Sequence, residues 1–226
     1  MKISIVLPVY NNERDIRGVC LDLFETFRDY DLEVICVNDA SPDDCASILE
    51  ELSRSKLVHL IDLKENVGQQ KATLKGLKKA SGQFIGVMDA DGQDDPVYFL
   101  EMIDKLINGD AEAVFVKRVG QYQSLNRMIT SRGIKLLVQV ITGLDRRAGS
   151  YYLMKKTTLQ RVLKVSEVIP TPYMSIIVGS CARGVGYVEG NRNKSISTSY
   201  NSRMRLKAAF DALSCSIRCR LFLNKI

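Results

Sequence analysis

The sequence predicts an α/β fold, with a mainly parallel central sheet flanked by helices. Three observations predict it. Short apolar runs alternate with stretches of helical spacing throughout the first 110 residues. The apolar runs are nearly continuous, as strands covered on both faces require. Most of them also end in small, polar and acidic residues, at the strand ends where an open parallel sheet binds its ligands.

Each element has its own reason. Ile3-Ser4-Ile5-Val6-Leu7 reads as the first strand, and Ile16, Val19, Cys20, Leu23, Phe24 and Phe27 then recur at helical spacing. Leu32 to Val37 is the second strand. Ser41-Pro42-Asp43-Asp44 supplies an N-cap, a proline at the first helical position and early acids for a helix lined by Cys45, Ile48, Leu49 and Leu52. Leu57 to Leu63 is a third strand, residues 69–80 a helix closed near Gly82, and Phe84 to Met88 a fourth strand. Asp95-Pro96 opens a helix carrying Phe99, Leu100, Ile103 and Leu106. Strands and helices in this order imply right-handed crossovers. Beyond them, Ala113 to Val116 reads as a strand, residues 125–142 as a basic and apolar helix, and Ser150 to Met154 as a return to the sheet. Residues 190–202 are polar and loop-like. Leu206, Phe210, Leu213, Ile217 and Leu221 end the chain at helical spacing. With no repeat and no linker, the expectation is one catalytic domain over 1–200 and a basic amphipathic helical extension over 201–226.

Composition narrows the classes. Of 226 residues, 46% are hydrophobic and 26% charged, which excludes a disordered chain. No apolar stretch reaches spanning length, and Met1 to Val9 reads as a strand rather than a targeting segment, so a cytoplasmic protein is expected. The net charge of +6 hides a division. Residues 1–113 hold 12 Lys and Arg against 22 acids, and residues 114–226 hold 20 against 4. A basic half of this kind suits nucleic acid, an acidic membrane or a phosphorylated substrate, or is simply a solvated face. Six cysteines without a CxxC pair, and His59 as the only histidine, argue against a Cys/His zinc site and a Ser/His/Asp triad. They read as reduced, buried thiols.

Chemistry concentrates at the strand ends. Asp89-Ala90-Asp91 follows a buried strand beside Gly92, and two such carboxylates hold a hard divalent cation while leaving room for phosphate oxygens. Gln93 offers a third oxygen. Such a cation neutralises a diphosphate leaving group. The alternative is a solvated acidic loop, since Asp94 and Asp95 also favour a helix start. Asp39, after the second strand, can accept a hydrogen bond from a nucleobase or make a local turn with Ser41. Pro8 fixes the chain leaving the first strand. Glu13 can reach a ribose or base, although an acid in a first helical turn needs no further role. There is no GxGxxG and no GxxxxGK[ST], which disfavours a dinucleotide site and a P-loop.

Together these motifs resemble the inverting glycosyltransferases of family 2, whose nucleotide-sugar-binding fold is termed GT-A. Pro8-Val9-Tyr10-Asn11-Asn12-Glu13 matches the family's PVYNE signature, and Val37-Asn38-Asp39-Ala40-Ser41-Pro42-Asp43 its VDDGSxD element. Asn66-Val67-Gly68-Gln69-Gln70 matches NxGQQ. Met88-Asp89-Ala90-Asp91-Gly92-Gln93-Asp94-Asp95-Pro96 looks like the MDADLQDPP of the polyprenyl-phosphate sugar transferases, among them dolichol-phosphate mannosyltransferase. Gly149-Ser150-Tyr151-Tyr152-Leu153-Met154 parallels a GxFRLM segment, and Ser199-Tyr200 an SxY element. Departures are Asn38 and Ala40 for Asp and Gly, Gly92 for an apolar residue, Ser150 for Asp, and Ile196 for Gly.

The resemblance implies a metal-dependent hexosyltransferase using Mg²⁺ or Mn²⁺ at Asp89, Asp91 and Gln93. It places a UDP- or GDP-sugar among Pro8, Tyr10, Glu13, Asp39, Ser41 and Gln70, and an acceptor phosphate near Arg118, Arg132 and Lys194. A polyprenyl phosphate is already ionised and attacks the anomeric carbon without a strong base. A saccharide hydroxyl, the alternative acceptor, needs a carboxylate, for which Asp94 and Asp95 are nearest in sequence. A non-catalytic nucleotide-sugar or nucleic-acid binder is the other class; no reader module supports nucleic acid. Residues 203–226 either lie in a membrane interface, through Leu206, Phe210, Leu213 and Ile217, or pack on the core. The first of these implies a peripheral protein at the inner face of a membrane.

Overall fold

The computed structural model describes residues 1–55, 58–118, 136–145, 147–191 and 202–225, with the side chains of 118 and 202–206 outside that description. The strands are β1 (Lys2–Val9), β2 (Asp31–Asn38), β3 (Val58–Asp62), β4 (Phe84–Val87), β5 (Ala113–Arg118), β6 (Ala148–Lys155) and β7 (Val185–Gly190). The helices are α1 (Ile16–Thr26), α2 (Cys45–Arg54), α3 (Gln69–Leu77), α4 (Tyr98–Asn108), α5 (Lys156–Ser166), α6 (Met174–Cys181) and α7 (Ser202–Leu223), with a further helical stretch at 136–142. All seven strands form one sheet in the order β3-β2-β1-β4-β6-β5-β7. Strands β1 to β4 run parallel, and β7 runs parallel to β5, whereas β6 is antiparallel to both β4 and β5. The fold is therefore the expected α/β sheet with one reversed strand.

Strand alternation divides the core in two. Ile3, Ile5, Leu7 and Val9 turn to one face and pack with Leu23 of α1, Phe27 just past its end, Leu49 of α2, and Phe99 and Met102 of α4. Val6, Ile35, Val87, Phe115 and Tyr152 turn to the other, beneath α3, α5, α6 and α7. Burial of each such side chain contributes roughly 1.5–3 kcal/mol. The last helix, expected either at a membrane or on the core, packs inward through Cys215 and Cys219, which are 1% and 0% exposed.

Placement of α3 depends on Gly76. A Cβ there would lie 2.4 Å from Cγ1 of Val6, so only glycine lets the helix lie this close across β1. The helix carries the chain back over β1 to β4, and its N-terminal residues end above the strand ends.

The second helix begins at Cys45 rather than Pro42. Ser41 does not cap it, because its hydroxyl oxygen accepts from the Asn11 N–H of the neighbouring loop. His59 lies exposed in the middle of the edge strand β3.

Candidate active site

The strand order reverses at β1. The chain moves outward from β1 to β2 and β3, then crosses back to β4 on the other side, leaving a crevice at the carboxyl ends of β1 and β4. Pro8 opens it. The carbonyl of Val6 accepts from Met88 N–H and that of Val9 from Asp39 N–H, so alternation turns the nitrogen of Pro8 toward β4. With no proton to donate there, the β1–β4 ladder stops at Val6–Val87, while β1 stays paired to β2 through Val9. Pro8 itself is buried.

Asp39 stands at the end of β2 and is 2% exposed. Its Oδ1 accepts from Val67 N–H at 2.7 Å and its Oδ2 from Gly68 N–H at 2.8 Å, while Asn66 Nδ2 donates to its carbonyl. Two backbone donors offset the desolvation of the buried carboxylate. Gly68 adopts φ +85 and ψ 150, a conformation essentially confined to glycine, which turns both N–H groups onto Asp39. The Asn66–Gln70 run thus has a structural meaning residue by residue. Gln69 Nε2 donates to Asp89 Oδ1 at 2.7 Å, and Gln70 Oε1 accepts from Met174 N–H at 2.7 Å. Gln70, expected beside the nucleotide, therefore ties α3 to the start of α6 through its carbonyl. Gln69, which sequence reasoning passed over, reaches the site.

Asp89 follows β4, opposite the start of β6. Ser150 Oγ lies 2.8 and 2.9 Å from its two carboxylate oxygens, so the antiparallel strand delivers a hydroxyl to the carboxylate. Asp91 folds onto its own loop, with Oδ1 accepting from Gln93 N–H at 3.2 Å and Oδ2 from Gln93 Nε2 at 2.7 Å. Gln93 thus supports Asp91 through its amide nitrogen. Gly92 takes φ +65, the left-handed turn that bends the loop back. Below Asp89, Tyr152 is fully buried between β4 and β5, and burial, then the nearby Asp89, pushes its hydroxyl pKa up.

The β1 and β2 loops lock together. Glu13 N–H donates to Asp43 Oδ2, and Asp44 N–H donates back to Glu13 Oε2. Glu13, expected at a ribose or base, thus holds the start of α2. Asn38 donates to Asp62 and accepts from Ser41 N–H, a pairing that an aspartate at 38 would replace by repulsion. Ala40 sits at φ +53, left-handed, at the position where the resembling motif carries glycine. Tyr10 is 49% exposed above the strand ends, its ring open to solvent. Asn11, Glu13, Arg14, Asp15 and Asp43 line a cleft of about 330 Å³ beside this loop pair.

The other wall is cationic. Lys117 Nζ lies 3.0 Å from Asp145 and 3.8 Å from the centroid of the Tyr187 ring. Arg147 also pairs with Asp145, and Tyr187 Oη accepts from Asp145 N–H. Partial burial works against the charge on Asp145, but Arg147 and Lys117 overcome it and hold its pKa at about 2. Lys117, Asp145 and Arg147 were not singled out by sequence; basic side chains bordering a sheet edge are the signal that finds them. Arg132 and Lys194 lie outside the described residues, as does the side chain of Arg118, whose backbone ends β5. Asp94 is 6% exposed, and Asp95 Oδ1 accepts from Val97 N–H ahead of α4. Tyr151 bonds the Asp95 carbonyl from the sheet face opposite Ser150.

Fold and site together define a GT-A type domain, an α/β sheet with paired aspartates at a topological switch. Residues 4–181 match the family model described as Glycosyl transferase family 2, and the chain belongs to that family. It is 31% identical over 221 residues to the uncharacterized glycosyltransferase YkcC of Bacillus subtilis, covering 93% of this chain and 67% of that protein. It is 25% identical to the dolichol-phosphate mannosyltransferase of Pyrococcus furiosus over 170 residues, 72% of this chain and 48% of that protein. The chain spans about half the length of several curated relatives it matches. Among solved structures, glucosyl-3-phosphoglycerate synthase of Mycobacterium tuberculosis, in complex with Mn²⁺, UDP and glucosyl-3-phosphoglycerate, superimposes with a TM-score of 0.65 at 16% identity, covering 96% of this chain and 80% of that one.

Proposed function

We propose that this domain moves a sugar from a nucleoside-diphosphate sugar, UDP- or GDP-linked, to a polyprenyl phosphate, with inversion at the anomeric carbon. One observation carries the acceptor: the acceptor side is almost without acids. Beyond residue 113 the chain has four, and the stretches 119–135 and 192–201 contain none. Asp145 is committed to Lys117 and Arg147. Glu189 stands on β7, three strands from β4, roughly 14 Å at the ~4.8 Å strand spacing. Glu167 lies just past the end of α5, with α6 packed on both α5 and α3, and Asp211 lies on α7. A hydroxyl acceptor needs a base to take its proton. A phosphate monoester does not, and cationic groups suit it.

Asp89 and Asp91 fit a Mg²⁺ or Mn²⁺ ion, since one or two carboxylates with substrate phosphates make the usual octahedral set. The Mn²⁺ and UDP of the mycobacterial synthase support that choice. When bound, such an ion supplies charge neutralisation to the departing diphosphate. The protein orients the rest. Gln69 and Ser150 fix Asp89, the Asn66–Gly68 turn fixes Asp39 for the base, and Tyr10 offers a face to it. Lys117 and Arg147, with Arg118, Arg132 and Lys194, gather the acceptor phosphate for in-line attack. Such a lipid is met at a membrane surface, and six unpaired thiols suit its cytoplasmic side.

The test is transfer from a panel of UDP- and GDP-sugars to undecaprenyl phosphate with Mg²⁺ or Mn²⁺. Metal-dependent glycosylation of the lipid phosphate is expected. Transfer to a saccharide hydroxyl instead, or donor binding without any transfer, overturns the acceptor.

A further inference from the structure

Tyr152 is wholly buried in β6, and among the described residues its hydroxyl has no hydrogen-bond partner. Its neighbour Tyr151, buried on the opposite face of the sheet, donates to the Asp95 carbonyl at 2.7 Å. Burying a hydroxyl without a partner is destabilising, and phenylalanine would fill the same space without that cost. Such an atom in a native core asks for a use. Register shows where it can be used. Tyr152 stands opposite Val87 on β4 and Phe115 on β5, both apolar, and its ring centroid lies 5.3 Å from that of Phe115. Val87 and Tyr152 share one face of the sheet. Two residues further along β4 on that face comes Asp89, and two residues back along β6 comes Ser150, whose hydroxyl meets Asp89. Tyr152 and Asp89 are thus diagonal neighbours across two antiparallel strands, a separation that an aromatic side chain spans. Lys117, further along β5, is a cation and accepts nothing. Burial, and then Asp89, raise the pKa of the phenol, so the proton it would donate stays on.

We infer that Tyr152 is a positioning residue for the cation site: its O–H donates to Asp89 when that carboxylate turns, with Asp91, to a divalent cation. The inference rests on the reading of Asp89 as a cation ligand. Carboxylates that ligate metals are themselves hydrogen-bonded, and the donors behind them set affinity by fixing their direction. Gln69 and Ser150 hold Asp89 from α3 and from the start of β6. Tyr152 adds a donor from the sheet itself, where close packing keeps its ring from turning away. The resembling GxFRLM segment carries arginine at this place. A guanidinium would bring a rival positive charge toward the carboxylate, whereas a phenol directs it and adds no charge. A hydroxyl kept at a cost in stability beside the paired aspartates is the signature of a group retained for the site rather than for the fold.

Calorimetric titration of Mn²⁺ into the full chain in the presence of UDP tests it, with the parent, Tyr152→Phe and Asp89→Asn compared. Tyr152→Phe is expected to weaken Mn²⁺ binding about tenfold. Its melting temperature without metal should stay level or rise, because the unpartnered hydroxyl is gone. Tyr151→Phe, which removes a bond that is made, should melt lower instead. In transfer assays the Mn²⁺ concentration for half-maximal rate should rise in Tyr152→Phe, with the rate recovering at saturating Mn²⁺. Equal Mn²⁺ affinity in the parent and Tyr152→Phe, or weaker binding accompanied by a lower melting temperature, overturns the inference and leaves the cation site standing. Mn²⁺ affinity unchanged by Asp89→Asn overturns the cation site and the inference with it.

Discussion

Between Pro8 and Gln93, the polar groups at the strand ends are held by neighbouring loops: Asp39 by Val67 and Gly68, Asp89 by Gln69, Asp91 by Gln93, Asp44 by Glu13. Toward β5 the same end of the sheet carries Lys117 and Arg147 on Asp145, with Glu189 beside Lys117 on β7. The difference teaches how the labour is divided. The wall proposed for the donor is built from loop-to-loop contacts around acidic side chains, a preorganised arrangement that costs little to assemble when ligand binds. Joints longer in sequence connect it to the wall proposed for the acceptor: Ser150 to Asp89, Gln70 to Met174, Tyr98 to Asn191.

The largest test of this division is Asp91→Ala. Loss of a carboxylate facing the diphosphate should lower transfer about 10³-fold or more. A melting measurement on the same variant separates loss of transfer from loss of fold. Turnover within tenfold of the parent would remove the metal role and with it the distinction between the walls. Gly68→Ala comes next. A side chain at φ +85 should cost about 1–3 kcal/mol, or a fall of several degrees in melting temperature, and should raise the donor KM by releasing Asp39 while leaving acceptor KM alone. Equal changes in both KM values would mean that the walls are not separable.

Legibility in the sequence follows the same line. The first four strands and their helices were readable because buried parallel strands are continuous apolar runs and α1, α2 and α4 carry one apolar stripe each. Asp39 and Asp89 were readable as acids placed directly after such runs. The partners that hold them were not, because a donor to a carboxylate has no period; only the run Asn66–Gln70 at a helix start hinted at it. The direction of β6 is not encoded in its own residues but in the long connection before it. Helix α6 is buried on nearly every side, from Met174 to Cys181, so it shows no helical period to read. The α2 start was misplaced because Ser41 has two possible partners and tertiary structure chose the other loop.

Asp145→Asn probes the acceptor wall by pH. Its carboxyl is held at about 2, below the ordinary value near 3.9, so the stability it contributes is present above pH ~4 and lost as pH falls toward 2. The variant should be less stable by about 1 kcal/mol at neutral pH, a modest figure for a screened ion pair, and the difference should vanish near pH 2. It should also change acceptor KM, since Lys117 and Arg147 lose their anchor, with donor KM unmoved.

The smallest effect belongs to the donor wall and carries the opposite sign. Ala40 occupies φ +53 between Asp39 and Ser41, a conformation that costs an alanine about 1 kcal/mol or more and a glycine almost nothing. Ala40→Gly gives the unfolded chain more freedom, which offsets part of that gain. The net expectation is stabilisation of about 0.5–1 kcal/mol, one to a few degrees in melting temperature. Donor KM should stay within about twofold, because Asp39 is held by Val67 and Gly68 rather than by the residue after it. A glycine that stabilises without loosening the donor site means the turn is set by the loop contacts around it, with alanine merely tolerated. A glycine that weakens donor binding means that the stiffness of Ala40 is part of the wall, and that the donor side depends on backbone strain as well as on hydrogen bonds.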